Sequence, residues 1–360
     1  MLPKVEALKD IGSLSAERCG QCHTALYTEW KGSLMAAAAT NPFFEKEREE
    51  QSARFLCGRC HHPLENQEPR IVFGLESIDP LREKARDNPG YDDALSHEGV
   101  TCVVCHLSAE SVFLPGTPPE IRHPTIYNAR KLEDANAPHP LAVGPGLAES
   151  GRVCARCHEF DPLGSHLHRP PLDTMAEYAA YRENGGKETC TGCHMPAIER
   201  SATSNAPVRT GHDHRFAAVK DAAFIRRYVT ISSIEAAGGR VALDVVNEAG
   251  HRVPTGEPSR VLEIRGRLLA GASTVAENVV QIRRSFDTVT LRDDVDGSLL
   301  PREKRRIAMT FPASAWARAD AVSVSVDFLR YAPDHPLVHG MAGVGTLSVH
   351  VLDVQLQPQH

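Results

Sequence analysis

Ten cysteines and five histidines carry the first chemistry legible in this chain of 360 residues. They fall into five copies of one phrase: Cys19-Gly20-Gln21-Cys22-His23, Cys57-Gly58-Arg59-Cys60-His61, Cys102-Val103-Val104-Cys105-His106, Cys154-Ala155-Arg156-Cys157-His158 and Cys190-Thr191-Gly192-Cys193-His194. Cys-x-x-Cys-His is the attachment site of a c-type haem. Two thiols spaced this way add across the haem vinyl groups as thioethers, and the adjoining His reaches the iron as proximal ligand. Disulfides or zinc would account for paired cysteines, but not for a His after every pair. With 18 His in 360 residues, five such coincidences have a chance of about three in ten million on composition alone. No Cys is left for a disulfide or a second metal. The phrase implies five covalently attached haem c groups, with His23, His61, His106, His158 and His194 as proximal ligands.

The opposite face of each iron sets its work: His or Met closes it for electron transfer, and an empty face admits substrate. Thirteen further histidines exceed what five haems need, so some are ordinary surface residues. Met35 lies among small side chains (Ser33 and Ala36 to Ala39) that let a haem approach, and a core gap-filler fits it equally. His251 sits in a stiff Gly- and Pro-bounded break within a strand-rich region, which favours a ligand. Of His212 and His214, which follow the last haem phrase, His214 is preferred. His97 is tethered five residues before Cys102 and suits a neighbouring haem better than its own. His139, between Pro138 and Pro140, is held extended, as a ligand or an exposed turn would be. His62 directly follows a proximal His and points across to another haem. His123, His166 and His168 lie in loops without a supporting pattern. The distal set is therefore Met35, His97, His139, His214 and His251, with His62, His212 and His168 ranked below.

The elements that position these groups divide the chain in two. Residues 1–224 carry all five phrases, are rich in Pro, Gly and Asn, and have few long apolar runs. Flat apolar macrocycles take the place of an aliphatic core, wrapped by short helices and loops. Thr24 to Ala39 reads as a helix stopped by Asn41-Pro42, and Tyr178 to Arg182 as a short one ending at Asn184-Gly185-Gly186. Pro115 to Pro119 and Ala137 to Gly146 read as loops over the haems. Spacings between phrases share no period, which excludes a solenoid.

Residues 225–360 change register. Val229/Ile231, Val241/Leu243/Val245, Leu262/Ile264, Ile307/Met309/Phe311, Val322/Val324/Val326/Phe328 and Leu347/Val349/Val351 alternate with period two. That predicts an antiparallel β-sandwich, and hence an α+β chain. Asp293 to Gly297 hints at a calcium turn but lacks the rest of a binding loop, so a hairpin turn is the expectation.

A net charge of −6 argues against nucleic acid as partner. Haem propionates add further negative charge, so redox partners with basic docking surfaces are expected. No apolar run of about eighteen residues marks a membrane span. Covalent haem c is assembled outside the bacterial cytoplasm, which predicts a periplasmic or extracellular protein, although Met1-Leu2-Pro3-Lys4 opens without an apolar signal core.

Several phrases resemble a group within the multihaem c-type cytochrome superfamily that includes the nitrifiers' tetrahaem electron-transfer cytochrome and hydroxylamine oxidoreductase. They are Cys19–His23 with Trp30-x-x-Ser33-x-Met35 and Asn41-Pro42-Phe43-Phe44, Glu98-Gly99-Val100-Thr101-Cys102, Cys190-x-x-Cys193-His194-Met195-Pro196, and His214-x-Phe216. Gly250-His251-x-x-Pro254-Thr255-Gly256 is similar to a motif in relatives with a C-terminal β domain, where the resemblance implies iron ligation by His251. The chain has no Cys-x-x-Cys-Lys of ammonia-forming nitrite reductase, fewer haems than hydroxylamine oxidoreductase, and no assignable counterpart of its tyrosine crosslink. The resemblance therefore implies electron transfer along closely packed haems more than catalysis. Two rival readings remain: an oxidoreductase with one open haem acting on a small nitrogen or sulfur species, and a protomer of a haem filament or larger redox complex. In the last case His335, His339, His350 or His360 would be donated to a neighbouring subunit.

Overall fold

The computed structural model describes residues 2–50, 54–78, 81–107, 120–122, 124–131, 137–144, 147, 151–160, 172–257, 259–287, 292–334 and 348–359. The expectations placed on Pro115 to Pro119, His123, His166, His168, His335, His339, Leu347 and His360 lie outside them. Helices and antiparallel sheets both contribute, so the chain is of mixed α and β character. It separates into two compact units, Met1–Cys157 with Glu188–Ala217, and His158–Lys187 with Ala218–His360. The second unit thus takes in 158–187, which the division at 224/225 assigned to the haem-bearing part.

In the first unit the helices are short. Ala16–Gly20, Thr24–Lys31, Arg54–His61, Cys102–His106 and Cys190–His194 accompany the cysteine phrases. The helix expected over 24–39 stops at Lys31, with Gly32 as its C-cap. Beyond it Ser33 to Ala39 form turns, because the carbonyls of Met35 and Ala38 are used by other segments. Local alanine propensity is small per residue, and tertiary contacts override it. Strand pairs brace the unit: Arg70–Ile78 with Leu81–Asp87, Ala197–Ser201 with Val208–His212, and Ile126–Asn128 with Leu141–Val143. The last corrects the loop expected over Ala137 to Gly146. The apolar cluster is small: Val5, Leu14, Leu64, Leu95, Val103, Val104 and Leu107.

The second unit is built on two antiparallel sheets. One has three strands in the order Val229–Ala237, Arg240–Asn247, Lys304–Thr310. The other has five, ordered Arg292–Asp296, Ser273–Asp287, Val261–Ala270, Ala321–Leu329, Ser348–Leu356. Inward residues of both, among them Leu243, Ile307, Leu262, Ile264, Val324 and Val326, share a single hydrophobic core. The described period-two residues lie in this core or pack against it, as alternation on a half-buried strand requires. Asp293 and Asp294 lie within the strand Arg292–Asp296, not in the expected hairpin turn. The helix Thr174–Glu183 ends at Asn184, extending the one expected over Tyr178 to Arg182. No helix among the described residues is long and apolar enough to cross a membrane.

Candidate haem-binding framework

Four cysteine phrases lie wholly on helices, Arg54–His61, Cys102–His106, Arg152–His158 and Cys190–His194. On a helix, residues three and four apart share a face, so both thiols and the following imidazole emerge together. The first phrase reaches the same end differently. Cys19 closes the helix Ala16–Gly20, and His23 is the N-cap of Thr24–Lys31.

Four of the five candidate proximal imidazoles are oriented by backbone carbonyls. Nδ1 of His23 lies 2.8 Å from Ala202 O, that of His61 2.6 Å from Ala38 O, that of His106 2.8 Å from Tyr127 O, and that of His194 2.6 Å from Ala217 O. A carbonyl only accepts, so each Nδ1 is the donor and Nε2 carries the lone pair that a metal needs. Desolvation lowers the pKa of His61, His106 and His194, which favours the neutral, ligating form.

Two further histidines face two of these rings. His139 stands 6.4 Å from His23, centroid to centroid, and His214 stands 6.2 Å from His106. A five-membered ring with bonds of about 1.33 Å has a radius near 1.1 Å. Two such radii plus two metal–nitrogen bonds of about 2.0–2.1 Å total about 6.2–6.4 Å. Both pairs thus fit an iron held between them. By contrast, Phe44 stacks directly on His61 at 4.0 Å, ring on ring.

The segments that carry these two histidines are anchored as well. His139 precedes Pro140, whose carbonyl accepts from Ile126 N at 3.0 Å, so the strand whose Tyr127 holds His106 also fixes the His139 segment. His214 is held through its backbone N–H by Glu29 at 2.8 Å, and Glu29 is paired with Arg200. Desolvation, with the neighbouring His106 next, pushes the His214 pKa down to about 4. Phe216 adopts φ +50, unusual for a bulky residue, and this turn brings Ala217 O to His194.

The other candidates are placed as follows. His251 gives Nδ1 to Arg252 O at 2.7 Å. Its loop is braced by Glu177, whose carboxylate accepts from Arg252 N at 3.0 Å and Thr255 Oγ1 at 2.6 Å. Asn247 Nδ2 also donates to His251 O at 2.9 Å. His97 is exposed and caps Asp93–Ser96, with Nδ1 on Asp93 O at 2.8 Å. His212 is exposed, on Met195 O at 2.8 Å. His62 is buried, and a carboxylate takes its Nδ1: Glu68 at 2.8 Å, with Arg48 alongside. Met35 is half-buried, its carbonyl accepting from Val100 N at 3.0 Å.

Sequence reasoning passed over one residue of the framework, Glu98. Its carboxylate accepts from Ser15 Oγ, from Ala16 N at 2.7 Å and from Thr101 Oγ1 at 2.9 Å. One side chain thereby ties the start of the first phrase's helix to the residue before Cys102. Gly99 follows at φ +59, where an added Cβ would lie 2.6 Å from Met35 O, so only glycine fits. Fully buried Gln67 donates to Gly99 O at 2.8 Å and to Leu95 O, and accepts from Leu64 N. Its signal was a Glu three residues before a Thr–Cys step, legible only as a phrase of the resemblance.

The cysteines themselves form a connected set. Three pairs of cysteine side chains are neighbours: Cys19 with Cys102, Cys60 with Cys157, and Cys154 with Cys190. Cys105 is an electrostatic neighbour of both Cys154 and Cys157. The first phrase therefore meets the third, the third meets the fourth, and the fourth meets both the second and the fifth.

No protein-family model and no curated protein matches this chain. A solved structure does: a penta-heme cytochrome c552 from Thermochromatium tepidum, with a TM-score of 0.65 at 18% sequence identity. The match covers 96% of this chain and 98% of that one. The two share a fold along almost their whole length.

Proposed function

We propose that this chain is an exported pentahaem c-type cytochrome that carries electrons between redox partner proteins. Each bound haem would supply one-electron chemistry at its iron. The chain's own residues do the rest: ten cysteines hold the groups by thioethers, and five histidines ligate from the proximal side. His139 and His214 close the irons of His23 and His106, while Met35, His97 and His251 remain candidates for the other three. The observation that carries the reading is the connected set of cysteines, because adjoining thioether edges give a continuous path between donor and acceptor. The shared fold with a penta-heme cytochrome supports it.

On this reading the division of labour falls near residue 224. The two sheets beyond it act as a β-sandwich whose braced loop supplies His251 as an iron ligand. The resemblance of Glu98–Cys102 and Gly250–Gly256 to the nitrifier group supports that assignment. Export follows from where haem c is assembled, and an acidic haem surface fits partners with basic docking faces.

The test is a pyridine haemochrome count with spectra of the reduced protein with and without carbon monoxide. Five haems without a carbon monoxide shift are expected. A shift equal to one haem would transfer the reading to an oxidoreductase with an open iron. Fewer than five haems would overturn it.

A further inference from the structure

One cation stands where the second, third and fourth cysteine phrases meet. Arg156, between the two cysteines of the fourth phrase, extends its guanidinium to the second, where Nη2 donates to Pro63 O at 3.0 Å. Its half-buried charge lies beside Cys157, Cys60 and Cys105, one cysteine from each of the three phrases. The carbonyl contact fixes where that charge sits, and a guanidinium does not lose its proton as a lysine would.

Resting on the pentahaem reading, we infer that Arg156 is a potential-setting residue: a fixed cation that raises the reduction potentials of the irons attached at the phrases around it. The physics is one of charge. When an iron there takes one electron from the upstream redox protein, ferric becomes ferrous and one positive charge disappears, with no proton or bond exchanged. A neighbouring cation disfavours the more positive ferric form, so it draws electrons toward the fourth phrase, where three branches of the cysteine set join.

The experiment is a spectropotentiometric titration of the five-haem protein as wild type, Arg156→Gln and Arg156→Lys. The Gln protein should lose up to about tenfold in at least one one-electron equilibrium, a midpoint lower by up to about 59 mV. The Lys protein should keep most of the wild-type value. Unchanged midpoints in an Arg156→Gln protein that still counts five haems would overturn the inference and leave the pentahaem reading standing. A wild type with fewer than five haems would instead overturn the reading beneath it. Should the Gln protein not mature, Arg59→Glu decides. Arg59 is exposed, and its charge acts on the same Cys60 and Cys157. Its reversal should lower the same transition by less, and no shift there would overturn the inference.

Discussion

Among the described residues, seven buried apolar side chains make up the cluster of the first unit and twenty-four that of the second. The two are of comparable length, so the difference concerns what holds each together. Alternating strands close around Leu243, Leu262, Ile264 and Val324, and at about 25 cal/mol per Å² of apolar area such burial stabilises a fold by itself. The described α-helices of the first unit have four to nine residues, too short to persist alone in water. What it has in surplus is groups that grip something flat: paired thiols and imidazoles oriented by carbonyls. On the pentahaem reading its core would be completed by the cofactor, as metal-dependent domains are completed by their ion.

The largest effect expected from that contrast is on the protein made without haem attachment. Hydrogen exchange should find the amides of Ala16–Gly20, Cys102–His106 and Cys190–His194 unprotected, while the strands Arg240–Asn247, Val261–Ala270 and Ala321–Leu329 stay protected. Equal protection in both would break the comparison. Next is Leu243→Ala, which should cost about 2–5 kcal/mol of stability in denaturant titration yet leave all five midpoint potentials in place. A moved potential would mean that the sheet core sets iron chemistry. Then His214→Ala, which should open one iron of five, read as a carbon monoxide shift equal to one haem. The smallest effect expected is a change at one centre without loss of structure: Met35→His should lower a single midpoint potential, because Met ligation raises it. An unchanged titration would remove Met35 from the ligand set.

The five Cys-x-x-Cys-His phrases were legible because the chemistry they suggest is local: thiol, thiol and imidazole sit within five residues. The strands of the second unit were legible for a similar reason, since Val241/Leu243/Val245 repeats with the period of the pleat. Which rings face one another was not, although His139 and His214 were both named as candidates. His139 and His214 meet rings more than a hundred residues away in sequence, and no spacing encodes that encounter. His97 was ranked beside them on proximity to Cys102, yet it lies exposed on a helix cap. The alanine run after Met35 misled for the opposite reason, its local preference for helix being overruled by Val100 and His61, which use the carbonyls of Met35 and Ala38. The hairpin Arg70–Ile78 with Leu81–Asp87 gave little sign of itself, because two register shifts break its alternation.

The Glu98 bridge bears on the order of assembly. On the proposed reading of an exported protein, the chain would thread out from its N-terminus, so Cys19 and Cys22 would emerge well before Glu98. Until then the five-residue helix Ala16–Gly20 lacks the carboxylate that caps its first turn. On that reading the first attachment site would stay pliant until the third arrives, and a single acidic side chain would work as a latch in time as well as in space.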